Sequence, residues 1–200
     1  MASETGASAS EAGANASEAG ANAMKLLIDK GEIKLIKSGE ENFNMVFDLE
    51  NPTIHLNTII NNNLIKLIYD LNVDLFEHIQ IEKINDYESC IFILFKDLFN
   101  DMGIPQYYYY FKIEHNLAEN HFRLTPLVYG EPLKQCMECV NLKECIIHYA
   151  IANEHCVHFR IDAILPSDEN TVSNMITKIV CNIIYKIFNR VKQFIYSINK

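Results

Sequence analysis

Residues 171–197, TVSNMITKIVCNIIYKIFNRVKQFIYS, decide how the rest of the chain has to be arranged. Apolar side chains recur at Val172, Met175, Ile176, Ile179, Val180, Ile183, Ile184, Ile187, Phe188, Val191, Phe194, Ile195 and Ile198. The steps between them are ones and threes, the period of one helix face. No Gly or Pro breaks the run. Ser167, Asp168 and Glu169 stand before it and Lys178, Lys186, Arg190, Lys192 and Lys200 follow, a charge order that suits capping and the helix dipole. At the usual helical rise this is a rod of about 40 Å. An apolar stripe of that length needs a sheet or another helix to cover it. Within it Val180, Ile184, Ile187, Val191, Phe194 and Ile198 keep the three-and-four spacing of a coiled-coil seam. These six are expected to form a subunit interface.

Composition narrows the remaining choices. The chain has 200 residues, enough for one sizeable domain with a tail, and its 49% hydrophobic content excludes overall disorder. A net charge of −9 argues against a general nucleic-acid binder, so contact with nucleic acid is expected only through partners. No run reaches the roughly 18 apolar residues of a membrane span, and no signal peptide is readable. A cytoplasmic protein with no membrane role is expected, its six cysteines serving as thiols or metal ligands. Heavy use of Ile, Asn, Lys, Tyr and Phe fits an A/T-rich genome such as that of a large DNA virus, a parasite or an endosymbiont. A viral factory or the nucleus stays open as a location.

Residues 1–23 repeat the heptad ASEAGAN at 9–15 and 16–22. They offer no apolar surface, so this stretch reads as a disordered arm appended before Met24. The body, 24–200, is expected to be a single domain. Strands are expected at 25–29 and 32–37 around Lys30-Gly31, and at 43–49, where Phe43, Met45, Phe47 and Leu49 alternate with other residues. Asn51-Pro52 opens a helix whose buried face runs from Leu56 to Leu71. Residues 75–84 alternate as a strand. Residues 88–101 are read as a helix stopped by Gly103 and Pro105. Tyr107–His115 is a strand by its aromatic content, and 121–128 follows as an edge or bent strand because of Pro126. A Cys-rich loop spans 129–145. A hairpin, 145–152 and 155–164, then leads to the final helix. The fold class is α+β: a mixed, mainly antiparallel sheet with helices on one face and a long C-terminal amphipathic helix.

The strongest chemical signal is Cys136-Met-Glu-Cys139 followed by Cys145 and His148, with Cys156 and His158 as alternates. Two thiolates two residues apart, a third thiol and an imidazole make a tetrahedral zinc set, with a structural role ahead of a catalytic one. Scattered cysteines of a β-rich region are the plainer account. Cys90 and Cys181 read as buried thiols. No G-x-S-x-G, H-E-x-x-H or phosphate-binding glycine loop is present. Tyr107–Tyr110 suits core or interface packing better than base stacking.

Three stretches resemble the alpha-like assembly subunits of multisubunit DNA-directed RNA polymerases. Phe47-Asp48-Leu49-Glu50-Asn51 running into the 56–71 helix is similar to that family's entry into a dimerisation helix. His121-Phe-Arg-Leu-Thr-Pro-Leu127 before Cys136, Cys139 and Cys145 is similar to a stretch ahead of its cysteine loop. Strand 157–165, the loop 166–170 and the last helix repeat the family's closing order. The sequence departs from it at Asn61 and Asn62, in the insertion 85–115, and in having three loop cysteines rather than four. The resemblance implies a non-enzymatic scaffold in transcription that pairs with protein partners, as homo- or hetero-oligomer. The alternatives are a viral structural or host-interaction protein, and a small zinc- or thiol-dependent enzyme.

Overall fold

The computed structural model describes residues 24–97, 101, 105–130, 137–140, 142–165 and 174–198. The repeat arm, Cys136, the 166–170 loop and the first residues of the 171–197 stretch lie outside them. Three strands, β1 (Met24–Lys30), β2 (Ile33–Ser38) and β3 (Asn42–Glu50), form an antiparallel meander. A 3₁₀ turn, Leu56–Ile59, leads into α1 (Asn62–Asp70). Strands β4 (Phe76–Lys83), β5 (Glu88–Phe95), β6 (Gln106–Asn116) and β7 (His121–Pro126) follow, then the short β8 (Met137–Cys139). The hairpin β9 (Glu144–Asn153) and β10 (Cys156–Ile164) precedes α2 (Asn174–Ser197).

Among the described residues these strands build one ten-stranded sheet in the order β1-β2-β3-β10-β9-β7-β6-β5-β4, with β8 parallel beside β6. All other pairings are antiparallel. The chain is therefore α+β and dominated by its sheet. Beyond that coarse class, three expectations are corrected. Residues 88–95 are a strand, because β5 is covered on both faces. Ile91 and Ile93 enter the main core, while Phe92 and Leu94 are buried on the other side. Alternation is thereby erased, and such a run cannot be told from a buried helix by its pattern. Residues 56–71 are not one helix. Asn51 accepts from the N–H groups of Thr53 (2.7 Å) and Ile54 (3.0 Å), which turns the chain instead of capping a helix. Asn61, accepting from Asn63 N–H at 2.7 Å, is the cap of α1. Nor is β7 an edge strand: it lies between β6 and β9, and Pro126 sits at its last paired position opposite Phe111.

Helix α2 lies against β1, β2, β3 and α1 and spans the gap between the two ends of the sheet. On the β1 side, Lys192 pairs with Glu32 in the β1–β2 turn. That turn carries positive φ at Gly31 (55°) and Glu32 (65°), the tight-hairpin conformation, and a Cβ on Gly31 would stand 3.4 Å from the Tyr185 hydroxyl. On the β4 side, Asp74 takes Arg190 and Lys186 together. Their hydrogen bonds hold its carboxyl well below the usual carboxylate range. Two buried asparagines complete the attachment. Asn51 donates to the carbonyls of Ile195 (2.6 Å) and Ile198 (3.1 Å), and Asn72 donates to those of Ile68 (2.7 Å) and Ile187 (3.4 Å). Arg190 in turn donates to the Asn72 oxygen at 3.1 Å.

Of the six residues expected at a subunit interface, Ile184, Ile187, Val191 and Ile198 pack on the chain's own core, and Val180 and Phe194 are exposed. The described part of the stripe is covered mainly by the chain's own sheet and α1. No helix among the described residues is long and apolar enough to cross a membrane. Replacing Asn72 with Ala leaves buried carbonyls and Arg190 short of a partner, so urea unfolding should show a loss of about 1–3 kcal/mol. Lys66→Ala, which removes an exposed i,i+4 pair with Asp70, should stay within about 0.5 kcal/mol.

Candidate functional site

Because sheet residues alternate in and out, the concave surface under the helices collects one apolar set. Phe47 and Leu49 come from β3, Phe122 from β7, Ile147 from β9, and Phe159 and Ile161 from β10. Leu64, Ile65 and Ile68 of α1 face them, with Phe188 and Val191 of α2. These side chains enclose a void of about 10 Å³, room for about one water-sized sphere. No polar side chain lines it, so it is a dry gap between layers. Phe47 stacks on Phe159 at 5.2 Å and meets Phe188 at 5.1 Å, placing three aromatic rings from sheet and helix around it.

A polar pair stands one ring behind the void. His115 follows Phe111 and Ile113 on the inward side of β6, and its Nε2 lies 3.0 Å from the Tyr149 hydroxyl. The imidazole stacks on Phe122 with ring centres 4.0 Å apart. Burial pushes the His115 pKa down, helped by the neighbouring His121, and burial pushes the Tyr149 phenol up. Both groups are therefore held neutral at neutral pH. The inward alternation Phe111-Ile113-His115 was the signal that could have found this pair in the sequence.

The proposed zinc set is not assembled. Cys145 and His148 are three apart on a regular strand, which puts them on opposite faces. Cys145 is buried in the core, its thiol pushed up to about 12 by burial. His148 is on the convex face, 3.5 Å from Asp162 and ring-to-ring with His121 at 5.8 Å. Cys139 is exposed at the end of β8, and Cys136 lies outside the described residues. The alternates fare no better: His158 is bound to Asp48 at 2.6 Å, and Cys156 points to Glu50 at 4.0 Å. Among the described residues no group of three or more His, Cys, Asp or Glu is placed to hold a metal. The tyrosine run is divided by the pleat. Tyr109 enters the core edge-on to Phe95, while Tyr108 and Tyr110 join Phe92 outside, where Tyr129 stacks on Phe92 at 4.3 Å.

No family model matches this chain, and no curated protein matches it. Solved structures do. The human StAR-related lipid transfer protein 5 superposes with a TM-score of 0.61 at 7% identity, over 85% of each chain. The lipid transfer and protein localization domain of human StarD13 (DLC2) gives 0.59 at 8% identity, over 84% of this chain and 89% of that one. A STAR-related lipid transfer protein fragment from Xanthomonas axonopodis gives 0.57 at 11%, over 86% and 98%. At such identities the likeness concerns the fold: an antiparallel sheet curled round a C-terminal helix. It overturns the resemblance to alpha-like RNA polymerase subunits. With it go the RNA polymerase scaffold role and the transcription assignment. The Phe-x-Leu-x-Asn entry belongs to a turn pinned under α2.

His115 and His148 both have pKa values lowered by burial, so the unfolded chain, with imidazoles near about 6.5, binds protons that the folded chain refuses. Stability is therefore complete above that value and declines as pH falls below it. Melting temperature followed from about pH 7.5 to about pH 5 should drop. His115→Gln, which keeps a partner for Tyr149, should flatten that slope, and an unchanged slope would refute the assignment.

Proposed function

We propose that this chain binds an apolar, lipid-like molecule between the concave face of its sheet and α2. The observation that carries the reading is the wholly apolar layer around Phe122, Phe159 and Phe188, set in a fold shared with solved lipid transfer domains. The resting void is far smaller than the roughly 300 Å³ and upward of ordinary ligand pockets. Binding therefore requires the helices to part from the sheet. The distribution of polar ties supports such a motion. Among the described residues, the hydrogen bonds from α2 to the rest of the chain fall between Lys186 and Ile198. These ties pin the C-terminal half of the helix, so the opening motion hinges about it.

His115 and Tyr149 give a ligand with one polar end a place to hydrogen-bond without bringing a charge into the layer. The proposed activity is capture and release, with no covalent chemistry.

A stearate carrying an environment-sensitive fluorophore tests this. Saturable one-to-one binding is expected, with displacement by unlabelled fatty acid, and native mass spectrometry after incubation with mixed-lipid vesicles should show a retained lipid. Ile147→Phe overfills the void and should weaken binding about tenfold, while Lys66→Ala should leave it unchanged. A probe that never saturates, together with a lipid-free mass spectrum, refutes the proposal.

A further inference from the structure

The apolar layer carries a second polar group, at the end away from His115. On the inward side of β6 the residues run Tyr109, Phe111, Ile113, His115. Tyr109 meets Phe95 edge-on at 5.5 Å, Phe95 meets Phe76 at 5.2 Å, and Phe76 meets Tyr69 of α1 at 5.5 Å. Two phenols are thus set into one aromatic cluster between α1 and the sheet, and Tyr69 adjoins Ile68, which lines the void. Burial pushes both phenols well up, Tyr69 further through Tyr109 and Cys145, and Tyr109 further through Cys145 and Cys139. Among the described residues no hydrogen bond contributes to either shift. Tyr108 and Tyr110 on the convex face differ, their hydroxyls bonding to Cys139 and Cys90. Tyr69 and Tyr109 therefore stay protonated, and each hydroxyl can both donate and accept.

The strand fixes how far apart the two polar groups stand. Tyr109 and His115 are six residues apart on β6, about 20 Å at the usual rise of a strand. Between them the inward side chains are Phe111 and Ile113, with Leu124 of β7 opposite Ile113. A chain lying along this strand meets hydrogen-bonding groups at its ends and hydrocarbon between. At the tyrosine end a charged head group would give up its hydration for two phenols, a costly exchange, whereas a hydroxyl or carbonyl exchanges one hydrogen bond for another. We propose that the occupant is a long apolar chain with a hydrogen-bonding group at each end, an uncharged one at Tyr69 and Tyr109 and the other at His115 and Tyr149. This inference rests on the concave layer being the ligand site and adds the length and polarity of the ligand.

Competition against the fluorescent stearate on the full chain gives the test. Hexadecanediol, with a hydroxyl at each end, should displace the probe at about a fifth of the concentration that hexadecanol needs. Hexadecanedioate, ionised at both ends, should need more than the diol. The double variant Tyr69→Phe, Tyr109→Phe keeps both rings and removes two oxygens, and its melting temperature verifies that it folds. In it the diol should lose its advantage, while hexadecanol displaces the probe as before. A diol no better than hexadecanol, or an advantage that the double variant retains, overturns this inference and leaves the apolar site standing. Failure of all three to displace a saturably bound probe refutes the site itself, and the inference with it.

Discussion

An open sheet that curls must have its two ends held at a fixed separation, and in this chain α2 sets that distance. Glu32 in the first turn and Asp74 before β4 belong to opposite ends of the strand order, yet both are paired with the same stretch of helix, Lys186 to Lys192. The ion pairs are solvent-exposed in part and contribute little each. The buried asparagines matter more, because Asn51 and Asn72 satisfy backbone carbonyls that are buried or partly buried. Curvature, concavity and the apolar layer follow from that attachment.

Sheet and helix meet through aromatic side chains. Rings at Phe47, Phe159 and Phe188 fill the contact, and Phe122 continues it towards His115. Such rings are large and rigid, so they leave a gap where their edges do not interlock. The small void is the geometric residue of that packing. It also marks where the layer is easiest to part, since few dispersion contacts are lost there.

The meander β1–β3, the β9–β10 hairpin and the final helix were legible because each has one buried face, and alternation or helical period survives. Strand β5 was illegible for the opposite reason. Tyr129 and its neighbours bury Phe92 from the convex side, so polar residues are no longer required at alternate positions. The cysteine reading failed by treating spacing as proximity. Cys145 and His148 had been placed on a strand, and three residues along a strand reverses the face. The long stripe of α2 was read correctly as needing cover. That the cover is the chain's own sheet could not be read from the helix.

The pairing of β3 with β10 has a consequence for how the molecule is made. Asn44 bonds to Asp162, 118 positions later, across the middle of the sheet. On a ribosome the first three strands emerge with one long margin unmatched, and that margin waits until nearly the whole described chain has been synthesised. Contacts so distant in sequence slow the search for the native arrangement. The exposed margin is meanwhile a template for wrong partners. The margin of the meander is thus matched late, and the yield of this protein should respond to chaperones that shield nascent β-meanders.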